Sequence, residues 1–353
     1  MTKVSIIGSH GLYAKYGGWD QLVINLAEKK SNNIQYLIFN SRDTPSVDVS
    51  IPGVMVKKSI FKASGFEGLF YDFSTILQCY FKTDTILLLG IQGLPLVSFL
   101  SLFKKIKVVS NSGGIEWERA KFGYFAKLYL RMCFKLSLKY SDHVILDNEF
   151  FKRYLPDNAN YKATINVIPY GGEIDRSVSI DDNLSAKYSF LNAEYYLSIS
   201  RSISDNMIEE LCKSFSESKK NLVLISNLSS STYGRDILNK YSLTDNITLI
   251  DGLYDKPILD LIRRKCTAYI HTHTSCGTAP SLVEMAISKR PIFSIDKPQN
   301  RFTLNNEGFY YVSFEKLVSY LESNPSLDMY IVSDIVNSKY SWTGVVSEYQ
   351  SLY

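Results

Sequence analysis

The chain has 353 residues, 45% of them hydrophobic and 13% aromatic, which is enough apolar material for two globular cores. Its formal net charge of +4 is unevenly distributed. Residues 1–172 carry 21 basic and 13 acidic side chains, whereas the remainder carries 18 and 22. The basic half indicates an anionic partner or surface, but no RNA- or DNA-binding motif accompanies it, so nucleic acid is not expected as a partner.

Cysteine usage and the first residues indicate a cytoplasmic protein. The five cysteines are scattered, with no C-x-x-C pair, which predicts a reducing compartment and no structural zinc. The N-terminus, MTKVSIIGSHG, lacks the long apolar segment and the cleavage site of a signal peptide. Residues 85–103 are uncharged and approach membrane-spanning length, but two glycines and Pro95 interrupt them. We therefore expect a buried strand, a loop and a short helix there.

Short β-rich segments alternate with amphipathic helices along the first half, which predicts an α/β fold with a mostly parallel, doubly wound sheet. A glycine-rich loop, Gly8–Asp20, follows the first strand and leads into a helix near Trp19–Lys30. The predicted strands of this half are Val4–Ile7, Tyr36–Phe39, Ile86–Leu89, Lys107–Ser110, Val144–Asp147 and Ile165–Ile168.

The alternation restarts after a connection at Tyr170–Gly172, which we interpret as a hinge. A second Rossmann-like unit is predicted from residue 178 to residue 338, after a first unit at 1–172. Because doubly wound sheets bind ligands outside the carboxyl ends of their strands, we expect an inter-domain cleft to hold the site. Besides a helix at Asp205–Ser218, the second half has predicted strands at Tyr195–Ser200, Leu222–Ser226, Ile247–Ile250, Ala268–His271 and Pro291–Ile295.

Two loops of the first half carry candidate functional groups. The Gly8–Asp20 loop reads GSHGLYAKYGGWD and lacks the G-x-G-x-x-G spacing, so NAD or FAD binding is not expected. The segment NSGGIEWERAKF places Glu116 and Glu118 beyond a Gly-Gly turn at the end of a strand. A carboxylate there can act as a base or bind substrate hydroxyls. The alternative for both is an ordinary acid at a helix N-terminus.

Two features of the second half suit a nucleoside diphosphate. Residues 277–291, GTAPSLVEMAISKRP, predict a helix whose N-terminal N–H groups attract an anion, with Glu284 in the first turn to accept hydrogen bonds from a sugar. Arg201 follows the first strand of this half, where a guanidinium can bind a diphosphate. The alternatives are a helix with a favourable N-terminal acid and a surface ion pair.

Histidine and aspartate spacing gives no case for a metal cofactor. His271 and His273 alternate at the end of a strand, so both can point to the same side. Their spacing can suit a metal, but no Asp, Glu or Cys stands nearby in a motif. The chain also has no D-x-D to hold a divalent ion beside a diphosphate. The sequence therefore predicts no metal and no other cofactor.

A predicted helix around Phe122–Tyr140 has a basic residue at every fourth position beside an apolar face. This arrangement is typical of a helix at a membrane surface. The alternative is a core-packing helix with a solvated outer face. The basic residues are Lys127, Arg131, Lys135 and Lys139, and the apolar ones are Phe125, Leu128, Met132 and Leu136.

Together these segments resemble the retaining GT-B glycosyltransferases of family GT4, and more closely the bacterial β-1,4-rhamnosyltransferase-like group that builds cell-surface polysaccharides. The resemblance covers nearly the whole chain. It implies a GT-B fold in which residues 1–172, completed by a helix at about 341–353, bind the acceptor and residues 178–338 bind the donor. The segments that carry it are GSHGLYAKYGGWD, GGIEWERAKF, VIPYGGEID, LSISRSISDNMIEEL, DGLYD, YIHTHTSCGTAPSLVEMAISKRP and YSWTGVVSEYQSLY.

The resemblance also implies roles for individual residues. Glu284 matches the second glutamate of the E-x7-E pattern, which binds the nucleotide ribose, while the first glutamate is replaced by Cys276. Arg201 matches the diphosphate-binding arginine and, with Glu116, is the expected catalytic pair. Asn206 lies near the place of the usual lysine partner. The implied donor site comprises Gly17, Gly18, Arg201, Asn206, His273, Gly277, Thr278, Ala279, Ser281 and Glu284.

The chain departs from this group at two further places. The group typically reads G-G-F-E where this chain has Trp19 and Asp20 after its two glycines. It typically has Asp-Gly where this chain has Gly113-Gly114, so a carboxylate is lost at position 113. Such a loss signals a different sugar or acceptor, or a loss of activity.

The implied activity is metal-independent transfer of L-rhamnose from dTDP-rhamnose to a lipid-linked saccharide, with the anomeric configuration retained. The acceptor would belong to O-antigen, capsule or another cell-surface polysaccharide, and the enzyme would associate peripherally with the inner face of the plasma membrane. The alternatives are a UDP- or GDP-sugar donor, a nucleotide-sugar 2-epimerase of the same fold, and an inactive scaffold homologue.

Overall fold

The computed structural model describes residues 1–14, 17–46, 50–118, 122–157 and 161–353, apart from the side chains of residues 335 and 337. The chain divides into two compact units. Unit 1 consists of residues 1–171 and 342–353, and unit 2 of residues 172–341. None of the described helices has the length and apolar character needed to cross a membrane.

Unit 1 is built on a seven-stranded parallel sheet in the order β3-β2-β1-β4-β5-β6-β7. Most strands are short apolar runs that are buried on both faces, as in β4, where all five residues are buried. The strands are β1 (Thr2–Ile7), β2 (Ile34–Asn40), β3 (Val54–Lys58), β4 (Thr85–Leu89), β5 (Lys107–Asn111), β6 (His143–Leu146) and β7 (Thr164–Val167).

Four described helices connect these strands, and the helices pack on the sheet through two hydrophobic clusters. Residues of α2, α3 and α4 pack in one cluster, and those of α1 pack in the other. In α4 the buried positions are Leu130, Cys133, Phe134, Ser137 and Leu138, which form one helical stripe. The helices are α1 (Gly18–Glu28), α2 (Glu67–Cys79), α3 (Leu94–Leu100) and α4 (Tyr124–Tyr140).

Unit 2 is built on a six-stranded parallel sheet in the order β10-β9-β8-β11-β12-β13, with hydrophobic clusters on both faces. Its strands are β8 (Tyr196–Ile199), β9 (Leu222–Ser226), β10 (Ile247–Asp251), β11 (Ala268–His271), β12 (Ile292–Ile295) and β13 (Phe309–Tyr311). Its helices are α5 (Asp182–Lys187), α6 (Ile208–Ser216), α7 (Thr232–Tyr241), α8 (Lys256–Lys265), α9 (Pro280–Ser288), α10 (Pro298–Thr303), α11 (Phe314–Glu322) and α12 (Asp334–Ser338).

The last helix, α13 (Trp342–Ser351), belongs to unit 1. Its buried side chains, among them Trp342 and Tyr349, join the same cluster as α1. The Asn111 amide at the end of β5 donates a hydrogen bond of 2.5 Å to the Tyr349 hydroxyl. Unit 1 is therefore assembled from two segments that are distant in the sequence.

The predicted doubly wound architecture is confirmed, and the elements correct the sequence prediction at a few places. Two strands were not predicted, β3 and β13, and each lies at an edge of its sheet. The helix predicted at Asp205–Ser218 is shorter, because a single 3-10 turn at Ser204–Asn206 precedes α6 and Met207 separates them with a φ of +50°.

Candidate functional site

The strand order of unit 2 reverses between β8 and β11, which are neighbours in the sheet although β9 and β10 lie between them in sequence. Loops that leave the carboxyl ends of such a strand pair diverge, and this opening is where doubly wound folds usually bind ligands. The loop after β8 carries Arg201 and Asn206. The loop after β11 runs from Thr272 to Ala279, where α9 begins.

Hydrogen bonds connect these two loops. The Thr274 hydroxyl donates to the carbonyl oxygen of Asp205 at 2.8 Å. Asn206 is buried, and its amide donates to the carbonyl oxygen of Arg201 at 2.8 Å. Asn206 therefore holds the backbone of Arg201 in place.

The Arg201 side chain is exposed and forms no ion pair with any residue that the structure describes. The loop after β11 leads into helix α9, which has Ala279 as its N-cap and Pro280 as its first residue. Ala279 offers no side-chain acceptor for the first-turn N–H groups. A guanidinium without an acidic partner and an uncapped helix N-terminus both favour an anion.

The remaining predicted donor residues of unit 2 are buried in the same region. Gly277, Thr278 and Ala279 are buried in the approach to α9. Ser281 is buried in the first turn, where its hydroxyl faces the Tyr269 phenol. The sequence brings these residues to the carboxyl edge of β11, but their side chains are packed inside the unit.

The rings of the two histidines at the end of β11 contact each other in a tilted arrangement, with centroids 4.5 Å apart. His271 is fully buried and His273 is nearly so. Burial, and then the adjacent His273, hold the pKa of His271 well below its usual range, so His271 is neutral near pH 7. No cluster of three or more metal-ligating side chains occurs among the described residues.

Glu284 belongs to a buried network of charged side chains. Its Oε2 accepts a hydrogen bond of 2.5 Å from Nη2 of Arg263, whose Nη1 donates to Oδ1 of Asp260, also at 2.5 Å. The other oxygen of Asp260 accepts from Lys256 Nζ at 2.6 Å and from the backbone N–H of Asp175 at 2.8 Å. The network ties α8 to α9 and to the segment that begins unit 2.

Burial raises the pKa of Glu284, and the positive charges of Arg263 and Lys256 limit that rise. Burial alone would lower the pKa of Arg263, but the charges of Glu284 and Asp260 raise it overall. Arg263 thus stays charged and orients the Glu284 carboxylate. The second oxygen of that carboxylate accepts no hydrogen bond from the described residues, so it can receive a hydroxyl of a ligand.

The prediction that Glu284 lies in the first turn of its helix is wrong. With Ser281 as the N-cap, the helix would begin at residue 282. Helix α9 in fact begins at Pro280, so Glu284 lies in its second turn. The sequence analysis also missed Arg263. A signal for it existed, because Lys256, Asp260 and Arg263 follow i,i+4 and i,i+3 spacing in one helix.

In unit 1, Asp20 holds the loop that follows β1. Its carboxylate accepts hydrogen bonds from the backbone N–H groups of His10 at 2.9 Å and Gly17 at 3.1 Å. Gly17 is the N-cap of α1, and Gly18 is the first residue of that helix. A Cβ added at Gly17 would meet no atom within 4 Å, so the space above this helix end is open. Lys15 and Tyr16, in the same loop, lie outside the described residues.

Trp19 lies against two glycines that follow neighbouring strands. Gly90 follows β4 with a φ of +117°, and Gly113 follows β5 with a φ of +62°. A Cβ on Gly113 would approach the Trp19 ring to 2.9 Å, and one on Gly90 would lie 3.5 Å from it. The Trp19 ring therefore occupies space beside position 113, so the two departures from the group's pattern are in contact.

The two candidate carboxylates of unit 1 are in different surroundings. Glu116 is partly buried in a single 3-10 turn, Glu116–Glu118, at the carboxyl end of β5. Glu118 is exposed and forms a 3.3 Å ion pair with Arg131 of α4. Glu116 remains the candidate.

Helix α4 exposes the basic stripe predicted for it. Arg131, Lys135 and Lys139 are exposed, and Lys127 is partly exposed. Of the adjoining apolar residues, Phe125, Leu128 and Met132 are exposed, whereas Leu136 is partly buried against the core.

Comparisons with known proteins agree with this architecture. Residues 68–173 match the model of a family described as "Domain of unknown function (DUF1972)", which covers less than half of the chain. No curated protein sequence matches significantly.

Solved structures match over the full length of the chain. Sucrose-phosphate synthase from Thermosynechococcus elongatus has a TM-score of 0.81 at 15% identity, covering 100% of this chain and 98% of that one. HepE from Anabaena in complex with UDP-glucose has a TM-score of 0.72 at 13% identity, covering 100% of both chains. A glycosyltransferase from Rickettsia africae has a TM-score of 0.68 at 14% identity, covering 100% and 97%.

These structural neighbours are GT-B glycosyltransferases, and the chain has the GT-B fold. Identities this low establish the fold alone. The activity must therefore be argued from the residues.

Proposed function

We propose that this protein is a glycosyltransferase that uses a nucleotide-sugar donor. The observation that carries the proposal is the exposed Arg201 guanidinium, which lies where the strand order of unit 2 reverses and has no acidic partner among the described residues. A diphosphate supplies the missing anion. The UDP and UDP-glucose bound to HepE, a protein of the same fold, support a nucleotide-sugar as the ligand.

Two parts of unit 2 recognise the two ends of the nucleotide. Arg201 and the N-terminus of α9 bind the diphosphate, together with the backbone of Gly277–Ala279. Glu284, oriented by Arg263, accepts a hydrogen bond from the ribose through its second carboxylate oxygen. The buried residues His273, Ser281 and Asn206 pack inside unit 2 and support the loops after β8 and β11.

Transfer proceeds by electrostatic stabilisation of the departing diphosphate. The acceptor hydroxyl attacks the anomeric carbon on the face that the diphosphate leaves, the leaving phosphate takes the hydroxyl proton, and the configuration is retained. In unit 1, Glu116 binds acceptor hydroxyls, and the open space above Gly17, next to Gly18, admits the ligand. No metal takes part in this proposal.

The resemblance favours dTDP-L-rhamnose as the donor and a lipid-linked saccharide as the acceptor. Assembly of O-antigen, capsule or a similar polysaccharide then takes place at the inner face of the plasma membrane. The exposed basic stripe of α4 supports a membrane-bound acceptor. The ligands of HepE favour a UDP-sugar as the alternative donor.

Nucleotide binding tests the proposal directly. We expect dTDP, UDP or GDP to raise the thermal stability of the protein equally with and without magnesium, since a ligand of the folded state stabilises it. Arg201→Ala should weaken binding of the diphosphate about 10- to 100-fold, because a charge-assisted hydrogen bond is lost. It should leave binding of the free nucleoside unchanged. Glu284→Ala should weaken both.

Arg176→Ala is the matched control, because Arg176 is also an exposed arginine of unit 2. Loss of binding in this control as well would attribute the effect to net charge. Failure of all three nucleotides to bind would contradict the donor site and favour the scaffold alternative. Product analysis with the preferred nucleotide-sugar separates a transferase, which needs an acceptor, from an epimerase, which does not.

A further inference from the structure

The outer surface of α2, α3 and α4 is unusually apolar. Twenty large hydrophobic side chains of the described chain are exposed, and eleven of them lie between residues 66 and 132. Of these eleven, Phe66 and Phe125 are the most exposed, at 86% and 83%. We call this set the α2–α4 face, and it consists of Phe66, Phe70, Leu77, Phe81, Phe99, Leu102, Phe103, Tyr124, Phe125, Leu128 and Met132.

The face belongs to one contiguous helix layer. Helix α3 packs between α2 and α4, and the inner sides of all three helices share one hydrophobic cluster. Many of the exposed rings contact one another on the surface. Phe66 and Phe70 have centroids 5.5 Å apart, and Phe99 and Phe103 are 5.4 Å apart. The rings thus form pairs that protrude from the unit.

The opposite helix layer of unit 1 behaves as an ordinary protein surface. Among the described residues, α1 and α13 expose no large hydrophobic side chain. The two layers cover the same sheet but present different side chains outward. Exposure of this extent is rare on surfaces that have no partner.

The charges on α3 and α4 have one sign, whereas α2 contributes Glu67, which is paired with Arg42. Residues 94–105 and 124–140, which include α3 and α4, contain six lysines or arginines and no aspartate or glutamate. One of the six, Arg131, is paired with Glu118. The lysines that remain are at the same surface as the exposed aromatic rings, and they are Lys104, Lys105, Lys127, Lys135 and Lys139.

We propose that the α2–α4 face binds an anionic lipid bilayer. Protruding aromatic and aliphatic side chains insert among the lipid headgroups, and the surrounding cations pair with lipid phosphates. A protein partner of the usual kind would instead need a hydrophobic centre with a polar rim of mixed charge. The proposal extends the membrane contact from one helix to three, and it does not depend on the transferase activity, because vesicle binding needs neither donor nor acceptor.

Flotation with vesicles tests the proposal on the full-length protein. The vesicles contain phosphatidylcholine alone, or phosphatidylcholine mixed in equal parts with phosphatidylglycerol. We expect binding to the mixed vesicles only, and weaker binding as salt is added. Lys135→Glu with Lys139→Glu should weaken it at least about tenfold, since each basic residue near an anionic surface changes partitioning about fivefold. Phe125→Ser with Leu128→Ser should also abolish stable binding.

Matched controls use exposed residues of unit 2. Lys213→Glu with Lys265→Glu makes the same change in net charge on other helices, and Leu243→Ser removes an apolar side chain that is 95% exposed. Both should bind vesicles as the unchanged protein does. Thermal unfolding of every variant reports whether it is folded.

Three outcomes would overturn the proposal. In the first, the unchanged protein would fail to bind mixed vesicles. In the second, the control variants would lose binding as much as the face variants do. In the third, the face variants would bind vesicles as the unchanged protein does. Sedimentation without lipid provides a further discriminating result. A dimer that the Phe125→Ser and Leu128→Ser variant loses would show that a second copy of this chain covers the face instead.

Discussion

Asp72 is the carboxyl group whose surroundings in unit 1 are most unfavourable. It lies in α2, is only 8% exposed, and its carboxylate accepts no hydrogen bond from the described residues. Burial raises its pKa from the ordinary 3.8 to about 7. In the folded protein the group therefore keeps its proton up to near neutral pH, whereas the unfolded chain loses it at about pH 4.

This difference predicts a pH dependence of stability. Between the two pKa values the folded state binds more protons than the unfolded state, so the free energy of unfolding falls as pH rises from about 4 to about 7. Asp72→Asn removes this contribution. We expect it to stabilise the protein by up to about 4 kcal/mol at pH 8 and by little at pH 4. Urea unfolding at the two pH values measures the effect.

Asp236→Asn, at an exposed position of unit 2, is the control for a change of net charge. A gain for Asp72→Asn that is the same at pH 4 and pH 8 would contradict the explanation, because only ionisation of the buried carboxyl makes the gain depend on pH.

Trp19 and Gly113 show how single residues of the sequence depend on each other. Each looked like a separate departure from the group's pattern, and the structure places the ring of one where a side chain of the other would stand. The left-handed backbone of Gly113 adds a second reason for glycine there. No sequence pattern predicts such a pair, because the contact joins α1 to the loop after β5, which are distant in the sequence.

At the scale of elements, α8 and α9 are joined by the ion network of Lys256, Asp260, Arg263 and Glu284. Arg263 lies between two carboxylates and is buried. We expect Arg263→Met to destabilise the protein by about 3–5 kcal/mol, since it leaves the fully buried Asp260 and the largely buried Glu284 without their shared cation. The free energy of unfolding in urea measures the loss.

The adjacent Arg264 provides a control in the same helix turn. It is less buried than Arg263 and donates to the Val178 carbonyl oxygen, not to a carboxylate. Arg264→Met should cost about 1 kcal/mol, as for a single hydrogen bond. Equal losses for the two substitutions would show that the network contributes no more than ordinary packing.

Elements with a strong apolar pattern could be predicted from the sequence, and those formed mainly by tertiary context could not. The continuous apolar runs of β4 and β9 can be recognised in the sequence as buried strands. Strand β3, VMVKK, is a half-exposed edge strand with weak alternation, and β13 has only three residues. The apolar residues of α4 were recognised, but periodicity alone could not show that Phe125 and Leu128 face outward. Arg263 was missed because Glu284, its partner, lies 21 residues away in another helix.

At the scale of the whole molecule, the units differ in continuity. Unit 2 is a single segment, residues 172–341, whereas unit 1 needs both residues 1–171 and residues 342–353. We expect a 172–341 fragment to unfold cooperatively on heating. A 1–171 fragment should lack a cooperative transition, because the cluster around α1 loses the side chains of α13, including Trp342 and Tyr349. Circular dichroism during heating measures both.

Joining residues 342–353 to the 1–171 fragment through a flexible linker should restore its transition. If the 1–171 fragment already unfolds cooperatively, α13 is dispensable for the core of unit 1. The same linker ending in a scrambled version of the twelve residues is the matched control.

The split of unit 1 reverses the order in which the units can be completed on a ribosome. The first 171 residues emerge early, but their sheet lacks one covering helix until residue 351 has been added. The intervening 170 residues take roughly ten to thirty seconds to translate at about 5–20 residues per second. Throughout that interval the α13-binding side of the core is uncovered in the nascent sheet, and chaperones and wrong partners compete for it. The part of the protein made first is therefore the last to finish folding.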